Sequence, residues 1–284
     1  MSAPAGPVLT ITDLRVAIAG TQILRGIDLS LTSGRIQGLA GESGSGKTMT
    51  GLAVLGLLPP RSAVSGSIDL TGTDLVGLTP KQMNLIRGRR VSMVFQDPST
   101  SLHPMLSVGA QLTDHIRYHL KVSRAQARER AIAMLASVRI PDPEAAVKRF
   151  PHQFSGGQRQ RIAIAIALAC EPAILIADEP TTALDVTVQA GVLRLLRALA
   201  DDMGLAVLLI THDLGVMSAI ADDVAVMRAG VIVEAGPRGD VLVTPAHDYT
   251  RSLLASLPGA TGGVSSLDDI RALAEPTDAI GGAR

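Results

Sequence analysis

The chain has one cysteine, no tryptophan and no excess charge of either sign, and each scarcity removes a class of function. The single cysteine, Cys170, excludes an internal disulfide and a four-cysteine metal site, and its apolar surroundings indicate a small core residue. Lysine plus arginine and aspartate plus glutamate both number 26, so charge does not favour nucleic acid as the main partner. The cluster Arg87, Arg89 and Arg90 is interpreted as a solvated helix end.

Long apolar runs are also missing. The longest, residues 162–170, is far shorter than the roughly 20 residues of a membrane-spanning helix. Residues 1–7 show neither the basic nor the apolar segment of a secretory signal, so we expect a protein that stays inside the cell and reaches a membrane only through a protein partner. The length of 284 residues, with 46% hydrophobic and 18% charged residues, fits a globular protein of one large or two small domains.

One glycine-rich stretch organises the rest of the chain. It lies between a strand-like run, residues 36–40, and a helix-like run, residues 49–58, and it fits the P-loop pattern G-x-x-x-x-G-K-[ST] in full. Its glycines let main-chain N–H groups turn inward around phosphate, its lysine adds a positive charge, and its threonine offers a hydroxyl to Mg²⁺. A glycine-rich turn without a ligand is the alternative. The stretch comprises Gly41, Glu42, Ser43, Gly44, Ser45, Gly46, Lys47 and Thr48.

The segments before and after the P-loop carry strand patterns. Residues 8–31 alternate apolar and polar positions, which predicts antiparallel strands ahead of the loop, and residues 67–70 predict another strand of that layer. Thr79 and Pro80 suit the N-cap and first position of a helix over 81–86. Residues 91–95 predict a buried strand that ends at Gln96.

From residue 97 to 154 the chain reads as an inserted helical subdomain punctuated by prolines. Its clearest helix begins at Ser123, with Gln126 as the capping-box partner. His115 and His119 lie four residues apart on a predicted helix and could ligate a metal. No third ligand is obvious, and solvent-facing histidines are the alternative interpretation.

The second half alternates helix and strand. Ser155 is predicted to cap a helix over 159–170, which is followed by a strand over 174–177 and another over 206–210. This spacing implies parallel strands, whose carboxyl ends form the ligand-binding edge of such a sheet. Residues 224–227 and 231–234 predict a hairpin. After Pro258, weak order is expected, with a short helical candidate over 267–274.

Acidic residues end the first of these strands. Asp178 has the Walker B arrangement, in which a strand fixes a carboxylate that can hold Mg²⁺. Glu179 could orient and deprotonate the water that attacks a γ-phosphate. An Asp-Glu pair after an apolar run is commonly structural, but its place downstream of a full P-loop favours function.

A second anion-binding device opens the helix after residue 154. The sequence Ser155, Gly156, Gly157, Gln158 places free N–H groups and a positive helix end at one point. One nucleotide does not need two such devices from one chain. We therefore expect this one to face the nucleotide of another subunit, in a head-to-tail dimer with ATP at each joint.

Together these motifs resemble the nucleotide-binding subunits of ABC transporters, from about Leu9 to Pro258. The resemblance assigns Gln96 to the Q-loop, where it would contact the Mg²⁺ shell and report nucleotide state. Residues 154–158 become the signature motif, with Phe154 in place of the commoner leucine. Ala183, Leu184 and Asp185 become the D-loop, and His212 becomes the switch histidine that contacts the γ-phosphate and positions Glu179.

The resemblance implies an α/β fold: a P-loop NTPase core with a mixed sheet, an N-terminal antiparallel β subdomain and an inserted helical subdomain. Residues 8–258 would form the ATPase domain, with the core in 8–96 and 159–258, the helical subdomain in 97–158, and a weakly ordered tail in 259–284. It implies ATP and Mg²⁺ as cofactors, with Thr48, Gln96 and Asp178 at the metal ion. The implied partners are two permease subunits, a second ATPase or a second copy of this chain, and an extracytoplasmic substrate-binding protein. The resemblance also implies that the protein is located at the cytoplasmic face of the membrane.

Narrower matches resemble the peptide and nickel importer branch. They lie at residues 95–98 with 101–104, at 179–189, and at Pro245 to Leu254. Two departures are a missing C-terminal cysteine cluster and Ala19 where many ABC subunits place an adenine-stacking ring. In both respects the chain is more similar to the compact nickel or metallophore ATPases. The sequence does not identify the cargo, whether oligopeptide, dipeptide, nickel or metallophore, because the ATPase does not touch it.

Two other classes of protein share part of this pattern. Soluble ABC-type ATPases of DNA repair or translation share the motifs, but usually carry a long coiled-coil insertion or two nucleotide domains, which are not evident in this sequence. A small-molecule P-loop kinase would leave residues 155–158 unexplained. The leading hypothesis is therefore the ATPase subunit of an importer.

Overall fold

The computed structural model describes residues 6–97, 101–182 and 184–256. Three features of the sequence interpretation lie outside these ranges: Pro98 of the Q-loop match, Ala183 of the D-loop, and the tail with its helical candidate. In the described ranges the chain forms two β-sheets and helices packed on both faces of the larger one.

The larger sheet has six strands in the order β10-β9-β3-β8-β7-β6. Five are parallel, and β10 is antiparallel to β9 across a hairpin. The predicted parallel strands and the predicted hairpin are therefore confirmed. The strands are β3 (Ile36–Ala40), β6 (Val91–Val94), β7 (Ile174–Asp178), β8 (Ala206–Ile210), β9 (Asp223–Arg228) and β10 (Val231–Pro237).

The smaller sheet is antiparallel, with the order β2-β1-β4-β5; two of its strands precede the P-loop in the chain and two follow it. It confirms the antiparallel layer predicted ahead of the P-loop. Its strands are β1 (Pro7–Ile18), β2 (Thr21–Thr32), β4 (Ser62–Leu70) and β5 (Thr73–Asp74).

Helices occupy most of the remaining described chain. A single 3-10 turn, Pro151–Gln153, precedes the signature segment. The α-helices are α1 (Lys47–Val54), α2 (Pro80–Ile86), α3 (Val108–Leu120), α4 (Arg124–Ser137), α5 (Pro143–Ala146), α6 (Gly156–Leu168), α7 (Val186–Met203), α8 (Leu214–Ile220), α9 (Arg238–Val243) and α10 (Asp248–Ala255).

Two hydrophobic clusters lie on opposite faces of the large sheet, because side chains alternate along each strand. On β7, Leu175 and Ala177 enter the cluster shared with α3, α4, α6 and α7. Ile174 and Ile176 enter the cluster shared with α1, α2 and the small sheet. All four are fully buried. The double burial explains why β7 reads as a continuous apolar run.

The predicted helix caps are present. Thr79, Ser123 and Ser155 each accept a hydrogen bond from the N–H three residues later, and each forms a full capping box with a glutamine. The helix interpretation of 159–170, where strand-like alternation competed, is confirmed by α6. Alanine favours helix there, and the capping box fixes where it begins.

The helix after the P-loop ends earlier than predicted. It was expected over 49–58, but α1 ends at Val54. Gly56 has φ +59°, and its N–H donates to Ala53 O at 3.0 Å while Leu57 N–H donates to Leu52 O at 2.9 Å. This pair of bonds is a Schellman motif, which closes the helix with a left-handed residue.

Two other expectations need correction. Strand β4 begins at Ser62 rather than residue 67, because its first residues pair with β1 while facing solvent, and so show no apolar pattern. The arginine cluster is only partly solvated. Arg87 donates to Leu55 O at 2.7 Å and to Gly56 O at 2.8 Å, so it ties α2 to the end of α1. Arg89 alone is exposed as expected.

Candidate functional site: a P-loop at the carboxyl edge of the sheet

The P-loop joins β3 to α1 at the carboxyl edge of the parallel strands. Gly46 is the N-cap residue of α1, with φ +110° and no side-chain cap, so the first N–H groups of the helix are left to a ligand. A Cβ on Gly41 would lie 2.2 Å from Met227 O, which leaves no room for any other residue. The local conformation is that of an anion-binding loop.

Lys47 lies across the mouth of this loop. Its Nζ donates to Gly41 O at 2.7 Å and to Glu42 O at 2.8 Å. Burial lowers the pKa of Lys47, while the nearby carboxylates of Glu179, Asp178 and Glu42 oppose that shift. The ammonium group therefore belongs to a cluster of acidic groups and main-chain carbonyls at the strand ends.

Thr48 and Asp178 meet although they are 130 positions apart in sequence. Thr48 Oγ1 donates to Asp178 Oδ1 at 3.1 Å. Asp178 ends β7, which lies between β6 and β8, and it is 6% exposed. Burial raises the pKa of Asp178, and the bond from Thr48 only partly offsets this. A buried carboxylate beside a hydroxyl is an oxygen donor set suited to a hard cation.

Glu179 follows Asp178 in a left-handed conformation, with φ +48°. Its N–H donates to Ile210 O at 2.8 Å, which carries the chain one step beyond the paired strands β7 and β8. Its Oε2 accepts from Thr182 Oγ1 at 2.7 Å and from Thr211 Oγ1 at 3.1 Å. This side chain is therefore held in one position by the two strand ends.

His212 completes the bonding of Glu179. Its N–H donates to Glu179 Oε1 at 3.0 Å, and its Nδ1 lies 2.6 Å from the same oxygen. Burial alone would raise the pKa of Glu179, but the bonds from His212 and Thr182 outweigh it and hold the pKa below its usual range. Glu179 is consequently ionised at neutral pH.

The sequence analysis missed both threonines that bond Glu179. Thr211 directly follows the strand predicted over 206–210, and Thr182 lies within the family match over 179–189, but neither residue was assigned a role. A usable signal existed, because Thr211 directly follows an apolar strand and Thr182 lies three residues after the carboxylate of Glu179. Their role depends on a long-range contact between β7 and β8, which local patterns do not reveal.

Gln96 lies near this edge without a bond to the cluster. It follows β6 by two residues, and β6 pairs with β7 in parallel, with Val94 opposite Ala177. The side chain is exposed and makes no hydrogen bond within the described ranges. Its place at the strand end agrees with the predicted position, and its contact with a metal shell stays a prediction.

The signature residues lie elsewhere in the described structure, at the N-terminus of α6. The two signature glycines face the segment that leads into α7: a Cβ on Gly157 would lie 2.3 Å from Val188 Cγ1, and one on Gly156 would lie 3.9 Å from Leu184 Cδ2. Asp185 caps α7 by accepting from Val188 N at 3.0 Å. Within one chain, the signature residues therefore lie next to the D-loop segment, whereas the P-loop lies next to Asp178 and Glu179.

The histidine pair on α3 does not form a metal cluster. His115 and His119 contact each other edge to face, with ring centroids 4.7 Å apart. Burial and the neighbouring His119 lower the pKa of His115 to about 4. Across the described ranges, no group of three or more histidine, cysteine, aspartate or glutamate side chains is arranged to hold a metal. Cys170 is a buried free thiol, as predicted, and burial raises its pKa to about 11.

No helix in the described part of the chain combines the length and the apolar composition needed to cross a membrane.

The fold and the loop at its strand ends define the class of protein, which is a P-loop nucleotide-binding protein of α/β architecture.

Comparison with known proteins narrows this class. The sequence profile of the ABC transporter family matches residues 24–182. The chain is 49% identical over 257 residues to the dipeptide transport ATP-binding protein DppD of Bacillus subtilis strain 168, an alignment that covers 88% of this chain and 77% of that protein. It is 46% identical over 257 residues to the oligopeptide transport ATP-binding protein OppD of the same organism, with 88% and 72% covered.

A solved structure agrees with these relatives. The ATP-binding cassette MJ0796, described as a dimer in a post-hydrolysis state bound to ADP and Pi, superposes with a TM-score of 0.70. The two chains are 26% identical, and the match covers 81% of this chain and 98% of that one. The chain belongs to the ABC transporter family of ATP-binding ATPases. The fold class predicted from the sequence is thereby confirmed.

Proposed function

We propose that this chain is the ATP-hydrolysing subunit that energises import of peptides by an ABC transporter. The observation that carries the proposal is the convergence of three chain segments at one sheet edge. The P-loop lysine, the Thr48–Asp178 pair and the Glu179–His212 pair all meet there, from segments after β3, β7 and β8.

Nucleotide binding would rest mainly on the triphosphate. The uncapped N–H groups at the start of α1 and the ammonium of Lys47 belong to the same loop, and the carbonyls that Lys47 now bonds are those of the loop itself. Residues 41–48 are the proposed contacts. Ala19 is exposed in the two-residue turn between β1 and β2 and offers no ring to the adenine.

The residues present fit a magnesium ion bound together with ATP. Thr48 Oγ1 and Asp178 Oδ1 supply two adjoining oxygens, and the raised pKa of Asp178 reports a carboxylate that a cation would stabilise. Gln96 is the third residue proposed on that side. When bound, Mg²⁺ neutralises phosphate charge and orients the terminal phosphate, while most of its ligands are phosphate and water oxygens.

The proposed hydrolytic pair is Glu179 and His212. Glu179 is ionised and held by hydrogen bonds, so its carboxylate is available to orient a water and accept its proton. The Nδ1 of His212 is occupied by this carboxylate, which leaves Nε2 to face the γ-phosphate. The histidine would thus connect the base to the phosphate whose bond is broken.

The signature residues, Ser155 to Gln158, and Asp185 are proposed to act on the nucleotide of a second ATPase subunit. Two features support this. In this chain these residues lie at the N-terminal ends of α6 and α7 rather than at the P-loop. The structural relative MJ0796 is described as dimeric. The second subunit would be either a homologous ATPase or another copy of this chain.

The remaining assembly follows from the relatives' role in peptide transport. The chain would bind two transmembrane permeases at the cytoplasmic face of the membrane, with an extracytoplasmic binding protein delivering the cargo. The ATPase domain would span residues 8–258, with a helical subdomain over 97–158. The relatives' names favour dipeptide or oligopeptide cargo over the nickel and metallophore alternative.

The test is reconstitution with the permeases encoded beside this chain. Vesicles containing the complex should hydrolyse Mg-ATP faster when the cognate binding protein is added with a dipeptide or oligopeptide, and labelled peptide should enter the compartment opposite the ATPase. Stimulation by nickel chelates and not by peptides would refute the peptide assignment. Equal hydrolysis with and without permeases and cargo would refute the transport role.

A further inference from the structure

Four donors from the described part of the chain fill the acceptor positions of the Glu179 carboxylate. An ionised carboxylate offers about four lone-pair positions, two on each oxygen. Oε1 accepts from His212 N at 3.0 Å and lies 2.6 Å from His212 Nδ1. Oε2 accepts from Thr182 Oγ1 at 2.7 Å and from Thr211 Oγ1 at 3.1 Å. The number of donors therefore equals the number of positions.

The hydrolytic role proposed above requires one more contact to this carboxylate. The attacking water must place an O–H against a Glu179 oxygen, so that its proton passes to the carboxylate while the oxygen bonds the γ-phosphorus. The electron pair of the broken P–O bond leaves with the terminal oxygen of ADP. A carboxylate whose lone pairs are all occupied cannot accept this O–H, so one of the four donors has to leave first.

Thr211 and His212 are fixed in place. Thr211 is 2% exposed, and its Oγ1 also accepts from the N–H of Asp213, the N-cap residue of α8, at 3.0 Å. The main-chain N–H of His212 lies between these two residues and cannot turn independently of them. The ring of His212 makes the contact with Glu179 that defines the proposed hydrolytic pair. Departure of either residue would dismantle the site.

Thr182 is the donor that can leave. Its side chain is exposed, and the bond to Glu179 is the only hydrogen bond that its Oγ1 makes in the described part of the chain. Rotation of the side chain exchanges this acceptor for solvent, which a hydroxyl accepts without loss of a partner. One position on Oε2 then opens, while Thr211 and His212 continue to hold the carboxylate.

We propose that Thr182 guards the base: its hydroxyl occupies the position on Glu179 Oε2 that the attacking water must take, and it turns away before hydrolysis. The inference rests on the proposed function, because it concerns the reaction assigned to Glu179. Thr182 lies three residues before Asp185, which is proposed to act on the nucleotide of the second subunit. Formation of that joint would therefore act close to the hydroxyl. Thr182 is thus a positioning residue that restrains the base.

The experiment measures ATP hydrolysis by the complete transporter, first without and then with its binding protein and peptide, for wild type, Thr182→Val and Thr182→Ala. Both variants lack the hydroxyl, so opening the position on Oε2 no longer breaks a hydrogen bond. Hydrolysis without cargo should rise about three- to tenfold, the value of one such bond. Stimulation by cargo should shrink by the same factor. KM for ATP should change less than about twofold, because Thr182 lies outside the P-loop.

Two control variants separate the guard from a general effect of substitution. Thr182→Ser keeps the hydroxyl and should restore the low rate without cargo. Thr12→Val makes the same change at an exposed position of β1 and should leave every rate unchanged. The melting temperature of the full chain should stay near the wild-type value in all of them, since both threonines are exposed.

A fall in hydrolysis without cargo would mean that the hydroxyl holds the base in its working position, and an unchanged rate would mean that the contact does not restrain it. Either result overturns the inference. If the valine variant alone loses activity, the alanine variant decides, because it puts no methyl group in place of the hydroxyl.

The double variant Thr182→Val with Glu179→Gln separates this inference from the proposed function. If Glu179 is the base, the gain from Thr182→Val should disappear in the double variant. Persistence of the gain, or wild-type turnover in Glu179→Gln alone, would overturn the proposed hydrolytic pair. Low turnover in Glu179→Gln together with no gain in Thr182→Val and Thr182→Ala would overturn the guard and leave that pair intact.

Discussion

Replacing Glu179 with glutamine removes the proposed base and little else. The carboxylate accepts four contacts: from His212 N at 3.0 Å, His212 Nδ1 at 2.6 Å, Thr182 Oγ1 at 2.7 Å and Thr211 Oγ1 at 3.1 Å. A glutamine can place its oxygen toward His212 and its NH₂ toward the two threonines. Their hydroxyls can rotate to accept, so the geometry at the strand ends should survive.

The size of the expected effect follows from chemistry and charge. Loss of a general base costs about 10²- to 10⁴-fold in rate, so kcat should fall within that range. ATP binding should be unchanged or tighter. The charge of Glu179 contributes to the raised pKa of Asp178, so its removal makes Asp178 easier to ionise and a better partner for a cation. The variant should therefore bind ATP and retain it.

The assay combines steady-state hydrolysis with nucleotide retention in the complex with its partner subunits. Size-exclusion chromatography after incubation with labelled ATP should show nucleotide trapped in an ATPase dimer of Glu179→Gln but not of wild type. Glu171→Gln is the matched control, because its side chain is 66% exposed and only pairs with Arg130 at the surface. Turnover of Glu179→Gln equal to wild type would refute the assignment of Glu179 as the base.

The remaining predictions concern three other parts of the site. In a heterodimer with an intact partner, Lys47→Ala and Ser155→Arg should each silence a different joint, and site-resolved photolabelling that finds one joint lost in both contradicts the composite arrangement. Asp178→Asn should abolish Mg²⁺-dependent hydrolysis yet leave the nucleotide-free melting temperature equal or higher at pH 7, because burial disfavours the ionised carboxylate; calorimetry showing a lower value contradicts this. Ala19→Tyr should tighten ATP binding up to about tenfold if adenine is uncovered, the change given by about 1.4 kcal/mol; titration showing no gain means that the base is already packed.

Local signals were enough to predict much of the fold. Each successful cap depends on residues three positions apart, such as Ser155 with Gln158, so the information lies within one helical turn. The strand-loop-helix unit around the P-loop is equally local. Even the approach of Thr48 to Asp178 was predictable, because the carboxyl ends of parallel strands meet at one edge.

Features that depend on acceptors elsewhere in the chain were not predictable. Arg87 looked like a solvated charge because two of its three acceptors are main-chain carbonyls at residues 55 and 56, which leave no mark in the sequence. The start of β4 was missed since exposed strand residues need no apolar pattern.

The precision of the hydrolytic pair comes from strand register. Asp178 lies opposite Ile210 across β7 and β8, so Glu179 comes one position, and His212 two positions, beyond the last pair. A slip of one residue would also exchange the two faces of β7, taking Ile176 out of one core cluster and Leu175 out of the other. The packing that makes such a slip prohibitive therefore also sets the 2.6 Å contact between base and histidine. Stability of the sheet and placement of the chemistry are, at this edge, consequences of the same register.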